Sequence, residues 1–195
     1  MSHHIYHTEA IILGTRPSGE GDRLLYCYTR DLGLVVAHAR SIRESRSRLR
    51  YALQMFSHAS VDLIRGKYGW KLISATPISS FRELWGDEGR RRIAANHTEL
   101  TRRLIQGEER HESLFDDIIR GLTFLSTLYD GESLRDAELL LVMQLLNSLG
   151  YWGGHSDLSP MLETTNYSDA DLQNVRAKRS QIVASVNESL RSSQL

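Results

Sequence analysis

The sequence predicts an α+β protein: a small, partly open five-stranded barrel over residues 1–80, followed by an all-α bundle over residues 81–195. Three observations predict it. The hydrophobic period is two as far as Thr76 and becomes helical from Phe81 onward. Turn signals punctuate the first part at short intervals, at Pro17-Ser18-Gly19-Glu20-Gly21-Asp22, at Asp31-Leu32-Gly33 and at Gly66-Lys67-Tyr68-Gly69. The charge changes sign at the same boundary. Residues 1–80 hold 11 basic and 6 acidic side chains, a net +5, and residues 81–195 hold 13 and 18, a net −5.

The first strand is expected from Tyr6 to Thr15, around Ala10-Ile11-Ile12-Leu13. In the second, Leu24, Tyr26 and Tyr28 share one face and Leu25 and Cys27 the other. Residues 34–40 make the third, with Val35, Ala37 and Ala39 opposite Leu34, Val36, His38 and Arg40. The fourth runs from Ser57 to Arg65, where Ala59, Val61 and Leu63 alternate with His58, Ser60 and Asp62, and the fifth from Trp70 to Thr76. Beyond Phe81, a helix over Glu88–Gln106 carries the thin stripe Ile93, Leu100 and Leu104. A stronger stripe follows at Leu114, Phe115, Ile118, Leu122, Leu125 and Tyr129. Leu134–Leu149 is apolar nearly all round, which marks a central buried helix ended by Gly150. One last helix is expected, capped at Ser168-Asp169-Ala170-Asp171 and carrying Leu172, Val175, Ile182, Val186 and Leu190.

Composition narrows the function classes. With 195 residues, 3 prolines, 14 glycines and 25% charged residues, the chain has an ordinary globular make-up and can bury a core. Its longest apolar run, Leu139-Leu140-Leu141-Val142-Met143, is far too short to span a bilayer, and the first residues have no basic stretch followed by an apolar one. The single cysteine, Cys27, excludes internal disulfides and thiolate zinc clusters and fits a reducing cytoplasm. The chain lacks a phosphate-binding G-x-x-x-x-G-K-[ST] loop and a G-x-S-x-G nucleophile turn. His3, His4 and His7 lie at the terminus without visible second-sphere partners, and the remaining histidines are scattered singly. Catalysis is therefore not expected.

The sharpest local feature is Arg40-Ser41-Ile42-Arg43-Glu44-Ser45-Arg46-Ser47-Arg48-Leu49-Arg50, with five arginines and one acid in 11 residues. Guanidinium groups grip phosphate oxygens in a bidentate fashion, so a loop of this composition beside a barrel mouth suits a nucleic-acid backbone. It equally suits a solvated surface loop or a contact with acidic protein. Aromatic side chains in the β part (Tyr26, Tyr28, Tyr51, Tyr68 and Trp70) could stack on bases. Tyr68 is the best placed, in a glycine-flanked hairpin with Lys67 beside it and Lys71 just beyond. Tyr26 and Tyr28 read as structural.

Several motifs, taken in order, resemble the RecO family of bacterial recombination and repair proteins. They are Thr8-Glu9-Ala10-Ile11-Ile12-Leu13, Arg16-Pro17-Ser18-Gly19-Glu20, Thr29-Arg30-Asp31-Leu32-Gly33, Ser47-Arg48-Leu49-Arg50, Leu53-Gln54-x-Phe56-Ser57, and Leu63-Ile64-Arg65-Gly66 with Trp70-x-Leu72. The helical half matches more weakly, at Glu138-Leu139-Leu140 and Leu146-x-x-Leu149-Gly150-Tyr151. The resemblance implies an N-terminal OB-fold barrel, a C-terminal helical domain and a non-catalytic protein without a cofactor. Implied too are binding to single- and double-stranded DNA, annealing of complementary strands and help in loading the RecA recombinase. The implied partners are the RecR mediator and the C-terminal tail of single-stranded-DNA-binding protein, in the cytoplasm at the nucleoid and with no membrane.

The candidate DNA-binding residues are Arg40, Arg43, Arg46, Arg48, Arg50, Lys67, Tyr68 and Lys71. Ser47-Arg48-Leu49-Arg50 matches the family's basic surface by motif, whereas Arg40, Arg43 and Arg46 enter by local charge. Two departures stand out. The helical part is short for the family, and Trp152-Gly153-Gly154-His155-Ser156-Asp157 contains none of the cysteines of the family's four-cysteine zinc site. The alternative reading is an adapter whose barrel and arginine loop dock acidic proteins without touching DNA.

Overall fold

The computed structural model describes residues 4–42, 52–105, 107–111, 113–153, 156–162, 164 and 166–193. Five strands open the chain: β1 (Ile5–Ser18), β2 (Asp22–Thr29), β3 (Gly33–Ala39), β4 (His58–Gly66) and β5 (Gly69–Ser79). They close into a barrel in the order β1-β2-β3-β5-β4, with β4 returning to β1. β1 is longer than its hydrophobic run because it serves two neighbours. Ile5–Ile11 pairs with β4, and Ala10–Ser18 pairs with β2 through a bulge between Ile12 and Gly14. Closure comes from a parallel seam of β3 on β5, Ala37 opposite Trp70 and His38 opposite Lys71. The barrel is thus closed where the strand pattern alone suggests a partly open one, because the seam joins strands distant in sequence.

Alternation sorts the side chains as the pleat requires. Ala10, Ile12, Leu25, Cys27, Val35, Ala37, Ala39, Ala59, Val61 and Leu63 fill the interior. Ile11, Leu13 and Tyr28 lie on the opposite face and are also buried, which explains the unbroken apolar run in β1.

Six α-helices follow among the described residues: α1 (Glu88–Leu104), α2 (Leu114–Thr127), α3 (Gly131–Ser148), α4 (Ser159–Leu162), α5 (Asp169–Ala177) and α6 (Arg179–Ser192). The chain divides into two compact units, Met1–Phe81 with Thr98–Phe115, and Arg82–His97 with Asp116–Leu195. The barrel unit therefore takes in residues 98–115, beyond the change of period at Phe81. Phe115 stacks on Tyr28 at 6.2 Å and meets the edge of His58, with the Arg30 guanidinium 4.3 Å above its ring. Glu108 accepts from Trp70 Nε1 at 2.9 Å and from Arg65 at 3.0 Å. The Leu34 amide donates to the Gly107 carbonyl at 3.2 Å. This approach needs Gly33, whose φ is +67° and on which a Cβ would lie 2.4 Å from the Glu109 carbonyl oxygen.

In the helical unit, α3 is the central element, with Leu134, Ala137, Leu140, Leu141, Met143, Leu145 and Leu146 buried. Asp130 caps its start, and Gly150, at φ +74°, follows its end. Ser168 and Asp171 form the expected capping box on α5. The single last helix is two, broken at Lys178. The flanking Arg176 and Arg179 both donate to the carboxylate of Asp136, a completely buried residue of α3. Among the described residues no helix is long and apolar enough to cross a membrane.

Candidate nucleic-acid interface

Four of the eight candidate residues lie outside the described residues: Arg43, Arg46, Arg48 and Arg50. The other four gather around one end of the β3–β5 seam. Arg40 follows the last residue of β3 and is exposed. Lys67 and Tyr68 form the two-residue tip of the β4–β5 hairpin, closed by Gly66 opposite Gly69. A left-handed Gly69, at φ +113°, permits so tight a turn. Tyr68 is 89% exposed and has the Lys67 ammonium 5.5 Å from its ring centre. Lys71 sits two residues into β5, with its stem passing 3.5 Å from where a Gly66 Cβ would lie.

Arg40 and Lys71 meet across a groove of about 350 Å³, which His38, Ile64, Leu72 and Ile73 also line. Its floor is aliphatic and its rim cationic. His38 was not foreseen as a site residue, although alternation puts it on the same strand face as Arg40. Its Nε2 lies 3.1 Å from the Asp22 carboxylate, whose other oxygen accepts the Ser41 amide at 2.9 Å. Asp22 therefore ties down the turn that carries Arg40, where Ser41 has the left-handed φ of 51°.

The other aromatic candidates have structural work. Trp70 is buried, packs edge-on against Tyr6 at 5.1 Å and donates to Glu108. Tyr28 is covered by Phe115, and the Arg102 guanidinium lies 4.4 Å from the Tyr26 ring centre. Tyr51 lies outside the described residues.

Two carboxylates anchor the outer surface of the barrel. Partial burial opposes ionisation of Glu9, but bonds from His58 and Arg30 outweigh it and hold its pKa below the usual carboxylate value. The Ser74 hydroxyl, with His7 assisting against partial burial, does the same for Asp62. The residues do not fit the four-cysteine zinc site of the family. Cys27 is inside the barrel, where burial pushes its thiol up to about 12, and no group of three or more His, Cys, Asp or Glu is placed to hold a metal among the described residues.

A closed barrel in which β1 pairs with both β2 and β4, and β3 runs parallel to β5, is an OB-fold-type barrel. Residues 1–81 match the family model for the N-terminal domain of recombination protein O. The chain is 34% identical over 147 residues to the DNA repair protein RecO of Heliobacterium modesticaldum, covering 75% of this chain and 52% of that one. The RecO of Desulfitobacterium hafniense is 33% identical over 149 residues, with the same two coverages. A RecO of Dehalococcoides mccartyi is 30% identical over 171 residues, covering 84% of this chain and 65% of that one. The barrel therefore belongs to the RecO family. The chain spans about half the length of the first two of these relatives.

Proposed function

We propose that this protein is a non-catalytic recombination mediator in DNA repair. In this reading it binds single- and double-stranded DNA, anneals complementary strands and assists RecA loading together with RecR. Residues 1–80 serve as the DNA-binding domain, and residues 81–195 are left for protein partners, the tail of single-stranded-DNA-binding protein among them. The observation that carries the reading is the cationic groove on an OB-fold-type barrel, with Arg40 on its rim and leading straight into the arginine-rich run 43–50. Annealing needs no covalent step. Arginines offset the mutual repulsion of two strands, while an open barrel surface holds bases unstacked until they pair.

Fluorescence anisotropy of the full chain with a labelled oligonucleotide, across a salt series and without partners, tests this. With four to six phosphate contacts, log K against log salt falls with a slope of about −3 to −4 on single strands. Reversing Arg46, Arg48 and Arg50 to Glu abolishes binding while circular dichroism stays unchanged. An unaltered affinity in that variant removes the arginine run from the interface. Absence of binding by the native chain even at low salt leaves the adapter reading instead.

A further inference from the structure

The barrel unit brings an acidic side chain to the root of its cationic hairpin. Residues 107–109 belong to no strand or helix, yet their backbone is fixed on the barrel. The Leu34 amide donates to the Gly107 carbonyl at 3.2 Å. The Glu109 carbonyl oxygen lies so near Gly33 that a Cβ there would be 2.4 Å away. Between these anchors the Glu108 side chain, 41% exposed, is the part that can turn. Its carboxylate bridges two donors. Oε1 accepts the Trp70 indole N–H at 2.9 Å, and Oε2 accepts from Arg65 Nη1 at 3.0 Å. Arg65 and Trp70 face each other across β4 and β5, and the guanidinium lies 5.4 Å from the indole ring centre.

A guanidinium beside an N–H donor is also an arrangement that takes two oxygens of one phosphate group. Here the chain's own carboxylate fills it. The hold is weak, because the Arg65 side chain is 62% exposed and solvent screens the pair. Exchange leaves no donor unpaired, since a phosphate oxygen takes the place of each carboxylate oxygen. Lys67 and Lys71, further along the same hairpin, have no acidic partner among the described residues.

Building on the DNA-binding reading above, we infer that Glu108 is an autoinhibitory latch. In the free chain it occupies an anion site made by Arg65 and Trp70, and a phosphate group must displace it to enter. A free anion competes poorly with a tethered carboxylate, whose effective concentration is high. A polyanion already held at Lys67 and Lys71 presents its next phosphate to Arg65 on equal terms. The latch therefore makes the hairpin pass over free phosphates and grip extended polyanions.

The test uses the full chain with two probes, inorganic pyrophosphate and a labelled oligothymidylate. The Trp70 indole N–H resonance, identified by its loss in Trp70→Phe, reports on the site. Glu108→Gln keeps an oxygen for the indole and removes only the charge, and its melting temperature checks its fold. It tightens binding of both probes by about threefold to fivefold, the most that so exposed an ion pair resists. Glu109→Gln removes the same charge from the neighbouring residue and changes either affinity by less than about 1.5-fold, as screening dictates. In an Arg65→Gln background, Glu108→Gln brings no gain. Should Glu108→Gln melt early, the native chain decides: saturating pyrophosphate shifts its Trp70 resonance, and an unmoved resonance overturns the site. No gain from Glu108→Gln, equal gains from both glutamate variants, or a gain that survives Arg65→Gln overturns the latch and leaves the DNA-binding reading in place. A native chain that binds no oligonucleotide overturns that reading itself, and the pyrophosphate affinities still decide the latch.

Discussion

The barrel unit and the helical unit carry opposite net charge, and each divides its cations between internal ion pairs and side chains without an acidic partner. Assigning residues 98–115 to the barrel leaves the two units at +4 and −4. In the helical unit, four arginines are bound to acids of the same unit, Arg176 and Arg179 to Asp136, Arg120 to Asp117 and Arg90 to Asp87, whereas Arg82, Arg91, Arg92, Arg135 and Arg191 have no ion pair among the described residues. In the barrel unit, Arg30 and Arg65 are spent similarly on Glu9 and Glu108. Arg40, Lys67 and Lys71, by contrast, have no acidic partner among the described residues. A neutral chain can therefore retain a cationic face, because charges already paired inside a fold are not available to a polyanion. The interiors differ too. The barrel is filled with apolar side chains, whereas the helical unit places a carboxylate at its centre.

That second contrast can be broken one side at a time. Gly33→Ala strikes the barrel. It puts a Cβ against the Glu109 carbonyl at 2.4 Å and a non-glycine residue at φ +67°. Together the overlap and the left-handed backbone cost about 4 kcal/mol, the loss falling on the β unit. Thermal unfolding followed in the near-UV and far-UV checks it, and a melting temperature within a degree or two of the native chain contradicts the close approach. Asp136→Ala strikes the other unit. It leaves Arg176 and Arg179 without their buried acceptor. Breaking a buried pair costs ~3–5 kcal/mol, and about 3 is expected here because both arginines can turn partly to water. Hydrogen exchange should then rise across α3, α5 and α6 while the barrel strands keep their protection.

The barrel was the more legible half because a period of two reports directly on which side chains face inward. Val35, Ala37 and Ala39, and again Ala59, Val61 and Leu63, alternate in sequence and are buried in the fold. The closing seam was not legible, since only two residue pairs join β3 to β5 and neither has a local signature. Nor was the share of residues 98–115 in the barrel unit. Their stripe looks like any amphipathic helix, and what they cover is defined only by long-range contacts such as Phe115 on Tyr28. The break at Lys178 has no glycine or proline to announce it, and the buried Asp136 is disguised as a surface position in an apolar helix. At the candidate interface, Arg40, Lys67, Tyr68 and Lys71 could be named from charge and hairpin chemistry. The groove floor could not, because Ile64, Leu72 and Ile73 share it with His38 only once the barrel has closed.

α1 provides the smallest of these effects and one that acts through pH. Its sequence shows a thin apolar stripe, yet His97, Thr98 and Thr101 are buried on it as well. Burial disfavours the charged imidazole and lowers the pKa of His97 from 6.5 to about 4. The unfolded chain then binds more protons than the folded one between those two values, so stability is fully present above pH 6.5 and falls as the pH drops toward 4. Between pH 7 and pH 5 the loss attributable to this one side chain is about 2 kcal/mol. Melting temperatures across that range should decline for the native chain and decline less for His97→Gln, which cannot be protonated. Parallel pH profiles for the two proteins would mean that acid acts elsewhere, and that the polar stripe of α1 is as easily ionised as a surface one.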